Sequence, residues 1–249
     1  MPGMPPASEP LPLSEHRARV LAYLRGATLS LQSVAWTIIE EGRDGSDSLM
    51  LRPSLVLWAC AACGGESGEF ADALPVAAAF DLFDRFMLLH DVLIEETAPA
   101  AGGPFGEVVA RWGLGQSLNA GDALYAMALR ALAQDVTNAE RRLSAASLVA
   151  HAVLEAIEGR SSDVERAPGA ALTGAALESG ALIAGANPAV CRGFNRAGRL
   201  LASAGSSGDA RLAQRLAEKA IGLIQRCIPE RRYVGAFEFL ARHVAADAA

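Results

Sequence analysis

PVAAAFDLFDRFMLLHDVLIEETA, residues 75–98, repeats its apolar residues every third or fourth position over more than five turns, a length no ordinary strand reaches and a period only a helix satisfies. The spacing predicts a helix from about Ala71 or Leu74 to Glu95. On its wheel Asp84, Leu88, Asp91 and Glu95 share one face, with Asp81 one turn earlier, and the run closes on Asp91, Glu95 and Glu96. Carboxylates along an otherwise apolar helix are either a solvated outer face or a cation site, and periodicity fixes their common face without fixing its direction.

The rest of the chain extends the helical reading. Of 249 residues 51% are apolar, enough for a sizeable core, whereas 3 Trp, 3 Tyr and 8 Phe are few for a strand-rich protein. Helices are predicted from about Ser14 to Glu41, from Pro53 to Gly64-Gly65, from Gly106 to Leu132, and then over about 136–159, 169–185, 187–204, 209–227 and 230–246. The segments EEGRDGSDS (40–48) and TAPAAGGPFG (97–106) read as loops. The expected architecture is all-α, one bundle of about ten helices spanning residues 14–249 behind a disordered leader, residues 1–13.

Composition excludes several function classes. A net charge of −6 and basic residues that form no stripe exclude a nucleic-acid surface. No stretch is long and apolar enough to predict a membrane span, and the start has no signal-peptide pattern. Cys60 and Cys63 have a metal-like or redox-like spacing, but Cys191 and Cys227 stand alone in sequence, so all four read as small buried hydrophobes of a cytoplasmic protein.

Four fragments in order carry a resemblance: LRPSLVLWACAACGGE (51–66), PVAAAFDLFDRFMLLHD (75–91), GLGQSLNAGDALYAMALRAL (113–132) and LTGAALESGALIAGA (172–186). They resemble the Arg-Pro helix, the helix leading to the first aspartate-rich motif, the Gly-Asp-Ala-Leu helix and the Lys-Thr segment of the trans-isoprenyl diphosphate synthases, the polyprenyl synthetase family. The resemblance implies an isoprenoid synthase-type helical bundle around a central cavity, usually dimeric, that joins isopentenyl diphosphate to an allylic diphosphate. It implies DDxxD motifs on two helices holding Mg²⁺ against the allylic diphosphate, since Mg²⁺ takes hard oxygen ligands and stabilises a departing diphosphate. Basic residues hold the second diphosphate.

Measured against that pattern, the site residues are thinned. Asp91 keeps the first acid, Glu95 replaces the last, Val92 stands where the second belongs, and Glu96 is one step off the face. Arg52 remains at Arg-Pro, with Arg43 a stand-in from the preceding loop, and APAAGGP (98–104) replaces an Arg-Arg-Gly. Leu172 replaces the lysine beside Thr173. At the second motif Gly198 matches a glycine, Leu201 and Ala202 replace Phe and Gln, Gly205 and Ser206 replace two aspartates, and Asp209 is the acid left. Gly159 and Asp163 are remnants of a Gly-Gln-x-x-Asp signature. Asp91, Glu95 and Asp209 are therefore the metal candidates, Arg52, Arg43 and Thr173 the diphosphate candidates, and Phe86 and Met87 the residues bounding a prenyl chain. His90 reads as a hydrogen-bonded core histidine.

Three functions follow. A catalytically impaired member would act as partner or regulatory subunit of an active prenyl diphosphate synthase, as a homodimer or heterodimer. An active enzyme with a weakened Mg²⁺ site would ionise one short allylic diphosphate. A metal-independent module would bind an isoprenoid or another lipid.

Overall fold

The computed structural model describes residues 13–28, 51–94, 103–161, 169–228 and 230–248. The leader, Arg43, Glu95, Glu96, Asp163 and most of the 98–104 loop lie outside the described residues. Among those described there are nine α-helices and no strand: α1 (Leu13–Thr28), α2 (Leu51–Ala62), α3 (Ser67–Ile94), α4 (Gly103–Arg130), α5 (Ala139–Ser161), α6 (Ala170–Ile183), α7 (Pro188–Gly205), α8 (Ala210–Cys227) and α9 (Arg231–Asp247). The all-α expectation holds. None of these helices is long and apolar enough to cross a membrane.

Helix ends follow local chemistry. After α2, Gly64 adopts φ 80°, its N–H reaches the Ala61 carbonyl at 3.1 Å, and the Gly65 N–H reaches that of Cys60 at 2.9 Å. This pair of backward bonds closes a helix when a glycine supplies the left-handed turn. Asn187 and Asp209 open α7 and α8 by accepting from the N–H groups two and three residues on.

Two boundaries differ from expectation. The helix predicted from Ala71 or Leu74 begins at Ser67, and the buried Pro75 lies inside it. The helix predicted over 106–132 breaks direction at Gly113, where φ is 76°, and ends in a π-helical turn, Ala131–Asp135.

The core is organised around α6. It is apolar on nearly every side, with residues 171–177 all buried, and it touches α2, α3, α5 and α7. Close approach depends on missing side chains: a Cβ at Gly180 would enter the Val56 carbonyl of α2, and one at Gly198 of α7 would enter Thr173 and Gly174 of α6. Trp58 then fills the space beyond, with ring centroids 5.9 Å from Phe194 and 5.4 Å from Phe237, so α2, α7 and α9 share one aromatic cluster. On the far side Asp72 of α3 accepts from the Thr137 N–H at 2.8 Å and the Asn138 N–H at 3.2 Å, holding the start of α5 against α3.

Candidate functional site

The acidic face of α3 is neither a wet surface nor a free ligand set over its first half. Asp81, Asp84 and Arg85 are all buried, and the face opens only at Leu88. Asp81 accepts from Arg85 Nε at 2.8 Å and from its terminal nitrogen at 3.2 Å, an ion pair one turn long with both side chains inside the core. Asp84 points across to α2 and pairs with Arg52 Nη1. Arg52 Nε also donates to Thr173 Oγ1 at 3.2 Å, and that hydroxyl donates to the Gly169 carbonyl at 3.0 Å. Gly169, at φ 75°, lies so close under the Arg52 guanidinium that a Cβ there would collide with it.

The structure thus brings together two of the three diphosphate candidates, Arg52 and Thr173, and adds Asp84, which sequence reasoning assigned no partner. The signal was present: Asp84 and Arg85 both interrupt an apolar run, and charges in such a run need counter-ions. One carboxylate oxygen of Asp84, Oδ2, is buried without a hydrogen-bond partner. Burial pushes its carboxyl up from 3.8 to about 6, against the pull of Arg52 and with a further push from Asp81. Desolvation outweighs the ion pair at this position.

Asp91 sits half-buried near the end of α3 and has an interaction partner of its own. Asp209 is exposed, and its Oδ1 accepts from the Arg211 N–H at 2.8 Å and the Leu212 N–H at 3.2 Å, the work of a helix cap. Leu172, at the lysine position, is buried in the core, and Ala202, Gly205 and Ser206 offer no carboxylate. Among the described residues no three His, Cys, Asp or Glu side chains come together to hold a metal ion. The described donor set by itself does not fit a Mg²⁺ cluster bridging a diphosphate.

Phe86 is half-buried between His90, at a centroid distance of 4.3 Å, and Tyr125 of α4, at 5.3 Å, while Met87 is buried. His90 Nδ1 lies 3.0 Å from the Phe86 carbonyl oxygen, and its ring rests where a Cβ at Gly121 would be. Gly121 in the Gly-Asp-Ala-Leu stretch is thus a point of close approach between α3 and α4. Burial pushes the Cys60 and Cys63 thiols up to about 12, the ordinary state of packed cysteines rather than of thiolate ligands. Cys191 and Cys227, remote in sequence, lie within electrostatic reach of Cys63.

A model of the polyprenyl synthetase family matches residues 45–204. A geranylgeranyl diphosphate synthase of Mycobacterium tuberculosis (strain ATCC 25618 / H37Rv) is 41% identical over 97 residues, which are 39% of this chain and 26% of that protein. A geranylgeranyl pyrophosphate synthetase from Pyrococcus horikoshii Ot3 superposes with a TM-score of 0.79 at 18% identity, covering 94% of this chain and 96% of that one. The geranyl diphosphate synthase small subunit from Antirrhinum majus superposes with a TM-score of 0.71 at 19% identity, covering 91% and 97%. The chain spans from about a quarter to somewhat over half the length of the curated relatives it matches.

Proposed function

The chain belongs to the polyprenyl synthetase family, and from that premise we propose that it is a catalytically impaired member, a partner subunit of an active prenyl diphosphate synthase. The observation that carries this reading is the Arg52–Asp84 pair. In a two-substrate condensation the arginine of the Arg-Pro helix would face a diphosphate. Here its guanidinium already holds a buried carboxylate and a threonine hydroxyl. An incoming diphosphate would have to displace Asp84, leaving an uncompensated charge in the core, and such displaced buried pairs are expensive, about 3–5 kcal/mol.

Two further features support the partner role. Leu114, Leu118 and Leu129 form an exposed apolar stripe on α4, and Leu143, Leu154 and Ile157 form another on α5. These stripes are the surface assigned to the second subunit. The fold is also shared with a protein named as a small subunit.

The test is turnover, alone and in company. The purified protein is incubated with isopentenyl diphosphate and geranyl or farnesyl diphosphate, with Mg²⁺ and with chelator. It is then co-purified with an active prenyl diphosphate synthase from the same cell, and the product chain lengths are compared. The expected result is no product from the chain alone and a stable complex with altered product distribution. Metal-dependent product from the chain alone, lost in Asp91→Asn, refutes the proposal and establishes an active single-chain enzyme.

A further inference from the structure

On the side of α6 turned about 160° from Thr173, counted at 100° per residue, a cleft of about 360 Å³ opens between α5, α6 and α7. That volume lies at the lower end of metabolite-sized binding sites. One wall is mostly carbon, from Leu148 and Ala152 of α5 and Ala175 of α6, with the His151 imidazole of α5 beside them. The other is α7, whose Arg192, Arg196 and Arg199 fall at i, i+4 and i+7 and so project from one face.

Glu178 lines the cleft, Glu155 of α5 pairs with its Arg199, and the partners of both acids decide its character. Glu155 Oε1 and Oε2 each accept from a terminal nitrogen of Arg199 at 2.7 Å, a two-pronged pair that bridges α5 and α7. Arg199 Nε donates to Asn195 Oδ1 at 3.0 Å, and Asn195 Nδ2 donates to Glu178 Oε2 at 2.7 Å. Arg199 is thereby paired with Glu155, while Glu178 is held by the neutral amide of Asn195. Arg192 and Arg196, one turn apart, make no hydrogen bond or ion pair among the described residues, although Arg192 feels the field of Glu178. Three guanidinium groups against the two carboxylates Glu155 and Glu178 leave net positive charge at the cleft, in a chain of net charge −6.

We propose that this cleft binds a small organic anion, a carboxylate or phosphate on a short apolar body, with the anionic group between Arg192 and Arg196 and the body against Leu148, Ala152 and Ala175. Guanidinium groups suit both oxyanions, because their donors match two oxygens at once. The apolar wall selects against a bare ion. The site is independent of Arg52, and the proposal stands whether the chain acts as a partner subunit or as an enzyme.

The experiment is isothermal titration of the full chain with hexanoate, hexyl phosphate and inorganic phosphate. Hexanoate or hexyl phosphate should bind saturably with one site per chain, and whichever binds more tightly identifies the oxyanion. Inorganic phosphate should bind at least about tenfold more weakly, because the apolar body is absent. The double variant Arg192→Gln, Arg196→Gln, whose positions are exposed and tolerate change, should lose at least about tenfold in affinity. Arg215→Gln, an exposed arginine on α8, serves as the charge control and should bind as the parent does. Absence of saturable binding by either organic anion overturns the proposal. So does equal affinity in the double variant, an equal loss in the Arg215 control, or binding of inorganic phosphate as tight as that of hexyl phosphate.

Discussion

Replacing Asp84 by asparagine sets two opposed effects against each other. Removing one partner of a buried ion pair ordinarily destabilises a fold by about 3–5 kcal/mol, because the other charge is left in the core. Arg52 is an unusual survivor, since its side chain is 24% exposed and retains the Thr173 hydroxyl. Asp84, by contrast, is 4% exposed with one oxygen unpartnered. Burial pushes its carboxyl up from 3.8 to about 6 even with Arg52 beside it, so ionisation costs more in the fold than in the unfolded chain. The difference, at about 1.36 kcal/mol per pH unit, is about 3 kcal/mol. A raised carboxyl pKa means that this stability is present below the unfolded value and is lost as pH rises through about 6. An asparagine does not ionise and should keep it. Asp84→Asn is therefore expected to raise Tm by roughly 6–12 °C at about pH 7.5 and to leave it nearly unchanged at about pH 4. Thermal denaturation followed by far-ultraviolet circular dichroism at both pH values gives the answer. A lower Tm for the variant at about pH 7.5 refutes the reasoning, for it would mean that attraction to Arg52 outweighs burial and that the pair is a net stabiliser.

His16 of α1 should behave in the opposite sense: burial lowers its pKa from 6.5 to about 4, so the fold loses about 3 kcal/mol as pH falls through that window. His16→Leu is expected to gain more stability at about pH 5 than at about pH 8 in urea titrations, and an equal gain at both would contradict it. Breaking the other buried pair of α3 by Arg85→Met should cost about 3–5 kcal/mol, and the double change Asp81→Leu, Arg85→Met should recover most of it; chemical denaturation of the three proteins compares them. Gly180→Ala should lose about 2–3 kcal/mol, because the added methyl meets the Val56 carbonyl of α2, whereas Gly208→Ala in the open turn before α8 should lose less and through its left-handed backbone alone.

The positions of the helices were readable because each carries its own punctuation. Gly64-Gly65, Asn187-Pro188 and Asp209 stop or start helices by interactions within a few residues, and these act the same way in any surroundings. The two boundaries that differ do so for separate reasons: α3 starts at Ser67, before the apolar period is established, and the break at Gly113 is a positive-φ glycine in open space, a local signal inside an otherwise continuous period. The candidate site was legible only as far as local signals reach. Arg52 and Thr173 were legible as members of a motif, whereas the partner that occupies Arg52 lies 32 positions along the chain, on another helix.

By itself the sequence determined an all-helical chain, most of its helix limits, and the loss of acidic and basic residues from a diphosphate-binding pattern. Periodicity, capping and residue identity are local properties, so one dimension is enough to hold them. Only the tertiary structure decided what the remaining charges do. Asp81 and Arg85 neutralise each other inside the core, Asp84 holds Arg52, and three arginines of α7 meet a cleft made by α5 and α6. Electrostatic energy depends on separation and on burial, and neither quantity exists until distant segments have packed together.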